Sequence, residues 1–272
     1  MSGAAQDLAA QLPQWRVVVA AGLLAVLWVA ESLAPMFPGR RRRFSHNLTN
    51  LGLAALNTGV AIAFAVGILA VTEAARTYQF GLLHQLGGPP WIRWVLALVL
   101  IDCWQYWWHR LNHRIGFLWR FHAVHHADAE LDASSGVRFH TIEIAFSFLA
   151  RLFVLPLLGV TVPELLLYET LALPVIHFHH SNLRLPAGLD RVLRWGIVTP
   201  RMHVVHHSRH QPETDSNYAS LLSVWDRLFR SFRLREHPGE IELGLDHWKE
   251  HDWRSLRGLL AAPFRRRRTG RR

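Results

Sequence analysis

Apolar residues occur in long runs over the first two thirds of the chain, separated by short polar or basic segments. Residues 17–34 and 48–71 are apolar over about the 20 residues that a helix needs to cross the hydrocarbon core of a bilayer. We expect the first to be a retained membrane helix, because no small-residue cleavage site precedes the basic block that follows it. The second is rich in Gly and Ala, which let membrane helices approach closely.

Three further apolar stretches follow. Residues 91–109 begin after a Gly-Gly-Pro-Pro turn and, as a helix rising about 1.5 Å per residue, extend for roughly 27 Å. Residues 141–160 and 162–177 predict a hairpin that crosses or deeply enters the membrane, with Gly159 near its tip. The pattern predicts an all-α integral membrane protein with one N-terminal span, about four further membrane-spanning or deeply inserted helices, and a cytosolic helical cap that carries a histidine cluster.

Arginines form two blocks that flank the apolar runs. The chain has 30 Lys and Arg against 20 Asp and Glu, a formal net charge of +10. The blocks occupy positions 40–43 and 265–268, with Arg271 and Arg272 beyond. Because they flank apolar stretches, we expect them to face an anionic membrane surface rather than nucleic acid. The positive-inside rule puts residues 40–43 on the cytoplasmic side of a bacterial-type inner membrane, with the histidine site and C-terminus, and the N-terminus outside.

Histidines recur with helical spacing. His109 and His113 form an HxxxH group, HxxHH groups begin at His122 and His203, and a further cluster lies within residues 177–180. Positions three and four apart share one face of a helix, so each group can direct its imidazoles to one point. Neutral imidazole suits iron, zinc, copper or nickel. Because the groups contain more ligands than one ion needs, we expect a site for two metal ions.

The alternative is that these histidines are surface or packing residues. A single HxxxH pair fits either interpretation, but three imidazoles within one helical turn repel one another when charged and gain little from packing. The HExxH motif of zinc peptidases is absent. The only cysteine, Cys103, excludes a disulfide framework and a cysteine-based zinc site, so histidine must supply the ligands.

The histidine segments resemble those of one known family. Its motifs are matched by HRLNH at 109–113, FHAVHH at 121–126, HHSNLRLP at 179–186 and TPRMHVVHHSR at 199–209, followed by DSNYASLLSVWDRLF at 215–229. Over roughly residues 90–235 the chain resembles the fatty acid hydroxylase superfamily, which includes sterol desaturases. The resemblance implies a non-haem di-iron oxygenase of the membrane, which hydroxylates or desaturates an unactivated C–H bond of a fatty acyl or sterol-like lipid.

The resemblance also implies the metal ligands. They are His109, His113, His122, His125, His126, His180, His203, His206 and His207. His177 and His179 compete with His180 for the same role and stay open as ligands or as supporting groups. The implied cofactor is a pair of iron ions (Fe2+/Fe3+), with dioxygen as co-substrate, and zinc is a substitute in purified samples.

Other residues near the motifs are candidates to support the ligands, since metal-bound imidazoles commonly donate their other nitrogen to a carboxylate or carbonyl. We assign this role to His140, Glu143, Asp102 and Asp226, with Asp128 and Asp215 as further candidates. A role of His140 as a metal ligand stays open. For Asp226, an ion pair with Arg227 or Arg230 is an equal alternative. We expect the histidines outside the motifs to be ordinary surface residues, namely His46, His84, His210, His237, His247 and His251.

The substrate is expected to be a membrane lipid that reaches the site along an apolar channel. Candidate wall residues are Trp104, Trp107, Trp108, Trp119 and Phe121, for which interfacial anchoring is the alternative. No dinucleotide, flavin or haem-attachment motif is present, so electrons must come from an external donor, ferredoxin-like or cytochrome-like. The oligomeric state is not predicted.

Three parts of the chain follow from this interpretation: N-terminal membrane helices with an outer loop over 1–90, a catalytic domain over 91–235, and a basic cytoplasmic tail over 236–272. Two competing functions stay open. Related histidine motifs serve carotenoid ring hydroxylation, and a membrane metal carrier or sensor would also concentrate histidines. A carrier predicts ligands inside the spans, whereas these histidines gather at span ends.

Overall fold

The structure is a computed structural model that describes residues 21–40, 42–246, 248 and 253–265. Within these residues every regular element is a helix, and strand-like pairing is limited to isolated bridges such as that between Pro35 and Leu183. The predicted all-α class is therefore confirmed for the described part of the chain.

The helices fall into three groups along the chain. The N-terminal group consists of α1 (Ala21–Leu33), α2 (Arg43–Thr77) and α3 (Leu82–Gln85). The central group consists of α4 (Pro90–Arg114), α5 (Gly116–His126), α6 (Thr141–Leu158) and α7 (Val162–His180). The C-terminal group consists of α8 (Ala187–Gly196), α9 (Pro200–His206), α10 (Gln211–Thr214), α11 (Val224–Leu228) and α12 (Leu256–Ala261). Short 3₁₀ turns occupy Ala133–Val137, Pro238–Glu240 and Ala262–Phe264.

Two described segments are long and apolar enough to cross a membrane. They are Arg43–Gln85, in which an 18-residue stretch has a mean hydropathy of 2.1, and Thr141–Leu158, with a mean hydropathy of 1.8. Their apolar side chains point outward: Ile62 is 69% exposed and Phe153 is 69% exposed. Outward apolar faces of this length are suited to lipid, and the helical backbone satisfies its own hydrogen bonds there.

The other expected spans also lie in helices. Residues 91–109 fall in α4, and 162–177 fall in α7, where Glu169 pairs with Arg151 of α6 at 3.1 Å. Neither α4 nor α7 is among the two segments that are long and apolar enough to cross a membrane. Of the expected span 17–34, residues 17–20 lie outside the described part, and the short apolar helix α1 covers most of the rest. The number of crossings and the orientation stay predictions.

Sharp helix boundaries bring the histidine-bearing helices together. Only Ile115 separates α4 from α5, and Gly159 ends α6 with a left-handed φ of 73°. Thr161 then starts α7 through a reciprocal capping box with Glu164. As a result α4 packs on both α5 and α7, and α9 packs on α7.

His46 corrects the expectation that histidines outside the motifs lie at the surface. It is only 7% exposed, and its ring nitrogens lie 2.9 Å from Asp128 and 2.9 Å from Asp132. The expectation was wrong because both carboxylates come from the turn after α5, more than 80 residues along the chain.

The other histidines outside the motifs differ among themselves. His210 and His237 are exposed, as expected, and His84 is half-buried against Gly159. His247 and His251 lie outside the described residues.

Candidate metal centre

Nine buried or half-buried histidines from four helices converge on two adjacent groups. Group one consists of His109, His113, His122, His126 and His206, and group two consists of His125, His180, His203 and His207. Within each group the potential ligand atoms all lie within 4.8 Å of one another. These are the nine histidines that the resemblance assigns to metal, and the structure divides them five and four.

Each HxxHH segment contributes to both groups. In the first segment, His122 and His126 belong to group one, whereas His125 belongs to group two. In the second segment the assignment is reversed: the first and last histidines belong to group two, and His206 belongs to group one. Around a helix axis, the side chain three positions ahead is rotated to one side of the starting residue and the side chain four positions ahead to the other side. One HxxHH segment can therefore direct its histidines to two different groups.

The nitrogen spacing in group two fits a metal ion. The Nε2 atom of His180 lies 3.1 Å from that of His125 and 3.0 Å from that of His203, which lies 3.1 Å from that of His207. Two nitrogens bound about 2.1 Å from one ion are about 3.0 Å apart at a right angle and about 3.4 Å apart at the tetrahedral angle. The four imidazoles are therefore spaced as ligands of one ion.

Group one has inward nitrogens without a protein partner. The Nε2 atoms of His109, His113 and His206 are buried and accept or donate no hydrogen bond within the described residues. The Nε2 atoms of His122 and His126 lie 3.2 Å apart. A buried polar atom without a partner lowers the stability of the folded protein unless another group binds it. A metal ion is such a group, because imidazole nitrogens donate their lone pairs to it.

Outer hydrogen bonds fix the orientation of several rings. The Nδ1 atoms of His109, His206 and His180 lie 2.8, 2.6 and 2.7 Å from the carbonyl oxygens of Tyr218, Ser216 and Ile176 respectively. A carbonyl can only accept, so each Nδ1 carries the proton and each Nε2 keeps its lone pair for a metal.

Glu143 supports group one in the same way. Its Oε1 atom lies 2.7 Å from Nδ1 of His122, and both side chains are buried. Asp215 lies farther from Nδ1 of His113, at 3.4 Å. The two carboxylates therefore lie against different members of the same group, one from the first turn of α6 and one from the residue after α10.

Burial and electrostatics keep five of the clustered histidines uncharged. Burial, reinforced by the neighbouring imidazoles, holds the pKa well below the ordinary value for His125, His126, His203, His206 and His207. They are consequently neutral near pH 7, the state in which imidazole binds a metal.

Two histidines of the cluster at residues 177–180 lie beside the two groups but belong to neither. Nδ1 of His177 lies 2.8 Å from the carbonyl oxygen of Ala133. His179 is buried with its ring centroid 4.1 Å from that of His203, and its Nδ1 has no hydrogen-bond partner within the described residues. The structure thus brings only His180 of this cluster into either group.

The remaining supporting candidates lie in other surroundings. His140 begins α6, where its Nδ1 accepts a hydrogen bond from the backbone of Ile142. Asp102 accepts hydrogen bonds from Tyr168, Trp225 and the Leu222 backbone, and none from a histidine of the described residues.

Asp226 and Asp128 form hydrogen bonds with residues other than the nine clustered histidines. The Asp226 carboxylate accepts from the backbone N–H of Tyr218, whose carbonyl receives His109, and from Ser231. It forms no ion pair with Arg227 or Arg230 among the described contacts. Asp128 accepts from Ser135 and pairs with His46.

Of the five aromatic residues expected along the substrate channel, Trp119 touches the centre. Its ring centroid lies 4.9 Å from His113 and 5.2 Å from His126. Sequence reasoning missed Phe139, which stacks on His125 at 4.6 Å, and the carbonyls of Ser216 and Tyr218. The only sequence signal for the latter was the motif-like segment 215–229.

Replacing Glu143 by Gln is expected to weaken metal binding to group one by roughly tenfold, because a neutral amide oxygen accepts the His122 hydrogen bond more weakly than a carboxylate does. Replacing it by Ala is expected to weaken metal binding by up to about 100-fold, because His122 then loses the acceptor that orients it. Competition with a chelator measures both affinities. The matched control is Glu73→Gln, which removes an exposed carboxylate paired with Arg76. Unchanged affinity in Glu143→Ala would show that His122 needs no such partner.

Comparison with known proteins yields one family and several relatives. The fatty acid hydroxylase family model matches residues 94–231, about half of the chain. Ornithine lipid hydroxylase OlsE of Rhizobium tropici is 28% identical over 239 residues, which cover 85% of this chain and 71% of the relative. No solved structure gives a significant match.

Two other relatives are animal enzymes. Alkylglycerol monooxygenase of Xenopus tropicalis is 31% identical over 192 residues, 67% of this chain but only 41% of the relative. A cholesterol 25-hydroxylase-like protein of Danio rerio is 32% identical over 142 residues, 50% of this chain and 54% of the relative. All three relatives are named as lipid hydroxylases or monooxygenases, and the predicted family is confirmed. The chain belongs to the fatty acid hydroxylase family.

Proposed function

We propose that the chain is a membrane lipid hydroxylase whose two histidine groups each hold an iron ion. The observation that carries the proposal is the division of nine imidazoles into groups of five and four, with the Nε2 atoms of His109, His113 and His206 unpaired within the described residues. Zinc has no redox chemistry, whereas hydroxylation of an unactivated C–H bond needs a metal that changes oxidation state. Bound iron supplies the activation of dioxygen.

The overall reaction balances with an external electron donor. One C–H bond of the lipid and one molecule of dioxygen, with two electrons and two protons, give a C–OH group and water. A donor of ferredoxin or cytochrome type, docking on the cytoplasmic side, delivers the electrons. Relatives named as hydroxylases or monooxygenases favour hydroxylation over desaturation.

The chain's own residues prepare the site for this chemistry. The histidines of α5 and α9 are almost inaccessible to solvent, so bulk water is kept from the metals. The hydrogen bonds of His109, His206 and His180 hold one tautomer, and Glu143 does the same for His122. These contacts preserve the ligand geometry while the metals change charge.

We further propose that the substrate is a polar-headed membrane lipid. The relatives are named for an ornithine lipid, alkylglycerols and cholesterol, all molecules with a polar end and a large apolar part. A chain anchored by α2 and α6 meets such molecules in the bilayer. The histidine groups would then face the cytoplasm, as the arginines at 40–43 predict.

Comparative lipid mass spectrometry of cells expressing the chain or its His203→Ala variant tests the proposal. We expect one lipid class to gain an oxygen atom only with the intact chain, and to carry a heavy isotope when the cells grow under labelled dioxygen. Loss of two hydrogens instead would identify a desaturase, and an oxidised carotenoid ring would identify a carotenoid hydroxylase. Unchanged lipids with altered cellular metal content would overturn the enzyme in favour of a carrier.

A further inference from the structure

A polar cavity outside the histidine groups opens beside the connection between α1 and α2. Its volume is about 470 Å³, within the range of small-ligand sites. The lining residues that matter to its chemistry are Phe37, Arg40, Arg42, Glu130, Leu243 and Arg254. Three arginines and one glutamate make its wall strongly basic.

Arg40 is the unusual member of this wall. Both Nη atoms of its guanidinium are buried, and neither has a hydrogen-bond partner within the described part of the chain. Its guanidinium lies over the Phe37 ring, whose centroid is 5.9 Å from Cζ. Burial lowers the pKa of Arg40, and the charges of Asp132, Asp128, Glu31 and Glu130 partly oppose this shift. A desolvated guanidinium with free donors is arranged for an anion.

The acidic side chains near Arg40 form ion pairs with other residues. Glu31 pairs with Arg43 at 2.8 Å, and Glu130 pairs with Arg254 at 3.1 Å. Asp128 and Asp132 both bind His46. These four carboxylates act on Arg40 through their charges, but its two Nη atoms make no hydrogen bond within the described residues.

The cavity lies between the start of α2 and an apolar cluster that includes residues of α9. Arg42 is exposed and directly precedes α2, the start of the longer membrane-crossing segment. On the other side, Leu243 packs in one apolar cluster with Val204 and Val205, which lie between His203 and His206. A molecule in the cavity would thus be at headgroup level and one side-chain layer from the histidine groups.

We propose that this cavity binds the phosphate of an anionic membrane-lipid headgroup, with Arg40 as the principal donor and Arg42 at the rim. The planar guanidinium presents two donors that match phosphate oxygens, and lipid phosphates are the abundant anions at this depth. The site requires neither metal nor turnover, so it goes beyond the proposed hydroxylation.

Lipid retention measures this site directly. The full chain, in nanodiscs of phosphatidylcholine alone or with half phosphatidylglycerol, is released into detergent, and bound lipid is counted by native mass spectrometry. We expect one phosphatidylglycerol to be retained, with an affinity about tenfold lower in Arg40→Gln and about fivefold lower in Arg42→Gln. Arg76→Gln removes a charge at the far end of α2 and is expected to change nothing.

Two results would overturn the proposal. Equal retention of phosphatidylglycerol by Arg40→Gln and Arg76→Gln would show that Arg40 holds no headgroup. The bound lipid is also displaced with inorganic phosphate and with soluble glycerophosphoglycerol. If both compounds displaced it at the same concentration, the site would be one for the free anion and not for a lipid headgroup. Because Arg40 makes no hydrogen bond within the described chain, its replacement is expected to leave thermal stability and iron content unchanged, and both are measured alongside.

Discussion

His203→Ala and His206→Ala are expected to remove different iron ions from the protein. The two residues lie three positions apart on α9 and are both buried, yet His203 belongs to group two and His206 to group one. Each variant should therefore retain about one ion per chain instead of two, and both should lose oxygen-dependent product. Iron content after dialysis against a weak chelator, measured with turnover, gives the result.

The two variants should differ in severity. Group two falls from four imidazoles to three in His203→Ala, whereas group one keeps four in His206→Ala. We expect His203→Ala to lower the iron affinity of group two by more than about 100-fold, which exceeds the usual effect of losing a hydrogen-bond partner of a ligand. We expect His206→Ala to lower the iron affinity of group one by less. Spectra of the singly loaded variants should then report two different iron environments.

His177→Ala is the matched control for both. This imidazole is also buried, and it lies near the C-terminal end of α7, but it contacts the Ala133 carbonyl and joins neither group. It should keep two ions per chain. If His177→Ala lost an ion, or if His203→Ala and His206→Ala both lost all iron, the division into two separate groups would be wrong.

Local spacing predicted the helices and the histidines, but not how the histidines are shared. An HxxHH segment puts His122, His125 and His126 on one side of a helix, and this much follows from 3.6 residues per turn. Which of them faces which metal depends on where α4, α7 and α9 pack, and packing is not a property of the segment. The five-to-four division therefore needed the structure.

The partners that hold the ligands were harder still to predict. Glu143 could be proposed because carboxylates commonly accept from metal-bound imidazoles. The carbonyls of Ser216 and Tyr218 carry no side-chain signature, since every residue has a carbonyl. His46 was missed for a related reason: its ion-pair partners Asp128 and Asp132 are distant in sequence, and its own neighbours Ser45 and Asn47 are polar residues that give no signal of burial.

Arg138 shows the same limit most clearly and leads to the second large effect. It is 0% exposed and donates from Nε to the Val124 carbonyl at 3.1 Å, and from Nη1 to Asn50 at 2.8 Å. Its Nη2 donates to the Trp253 carbonyl at 2.7 Å. One side chain thereby ties α2, α5 and the C-terminal segment together. Nothing in the sequence around residue 138 distinguished this arginine from those of the surface.

Arg138→Gln is expected to lower the free energy of unfolding by about 3 kcal/mol or more, because buried acceptors on three segments lose their donor and Asp128 loses a nearby positive charge. Denaturant unfolding in detergent micelles measures the loss. Arg209→Gln is the control: Arg209 is an arginine in surface ion pairs with Glu242 and Asp246, and its loss should cost less than about 1 kcal/mol. Equal stability of the two variants would mean that the Arg138 contacts do not hold these segments together.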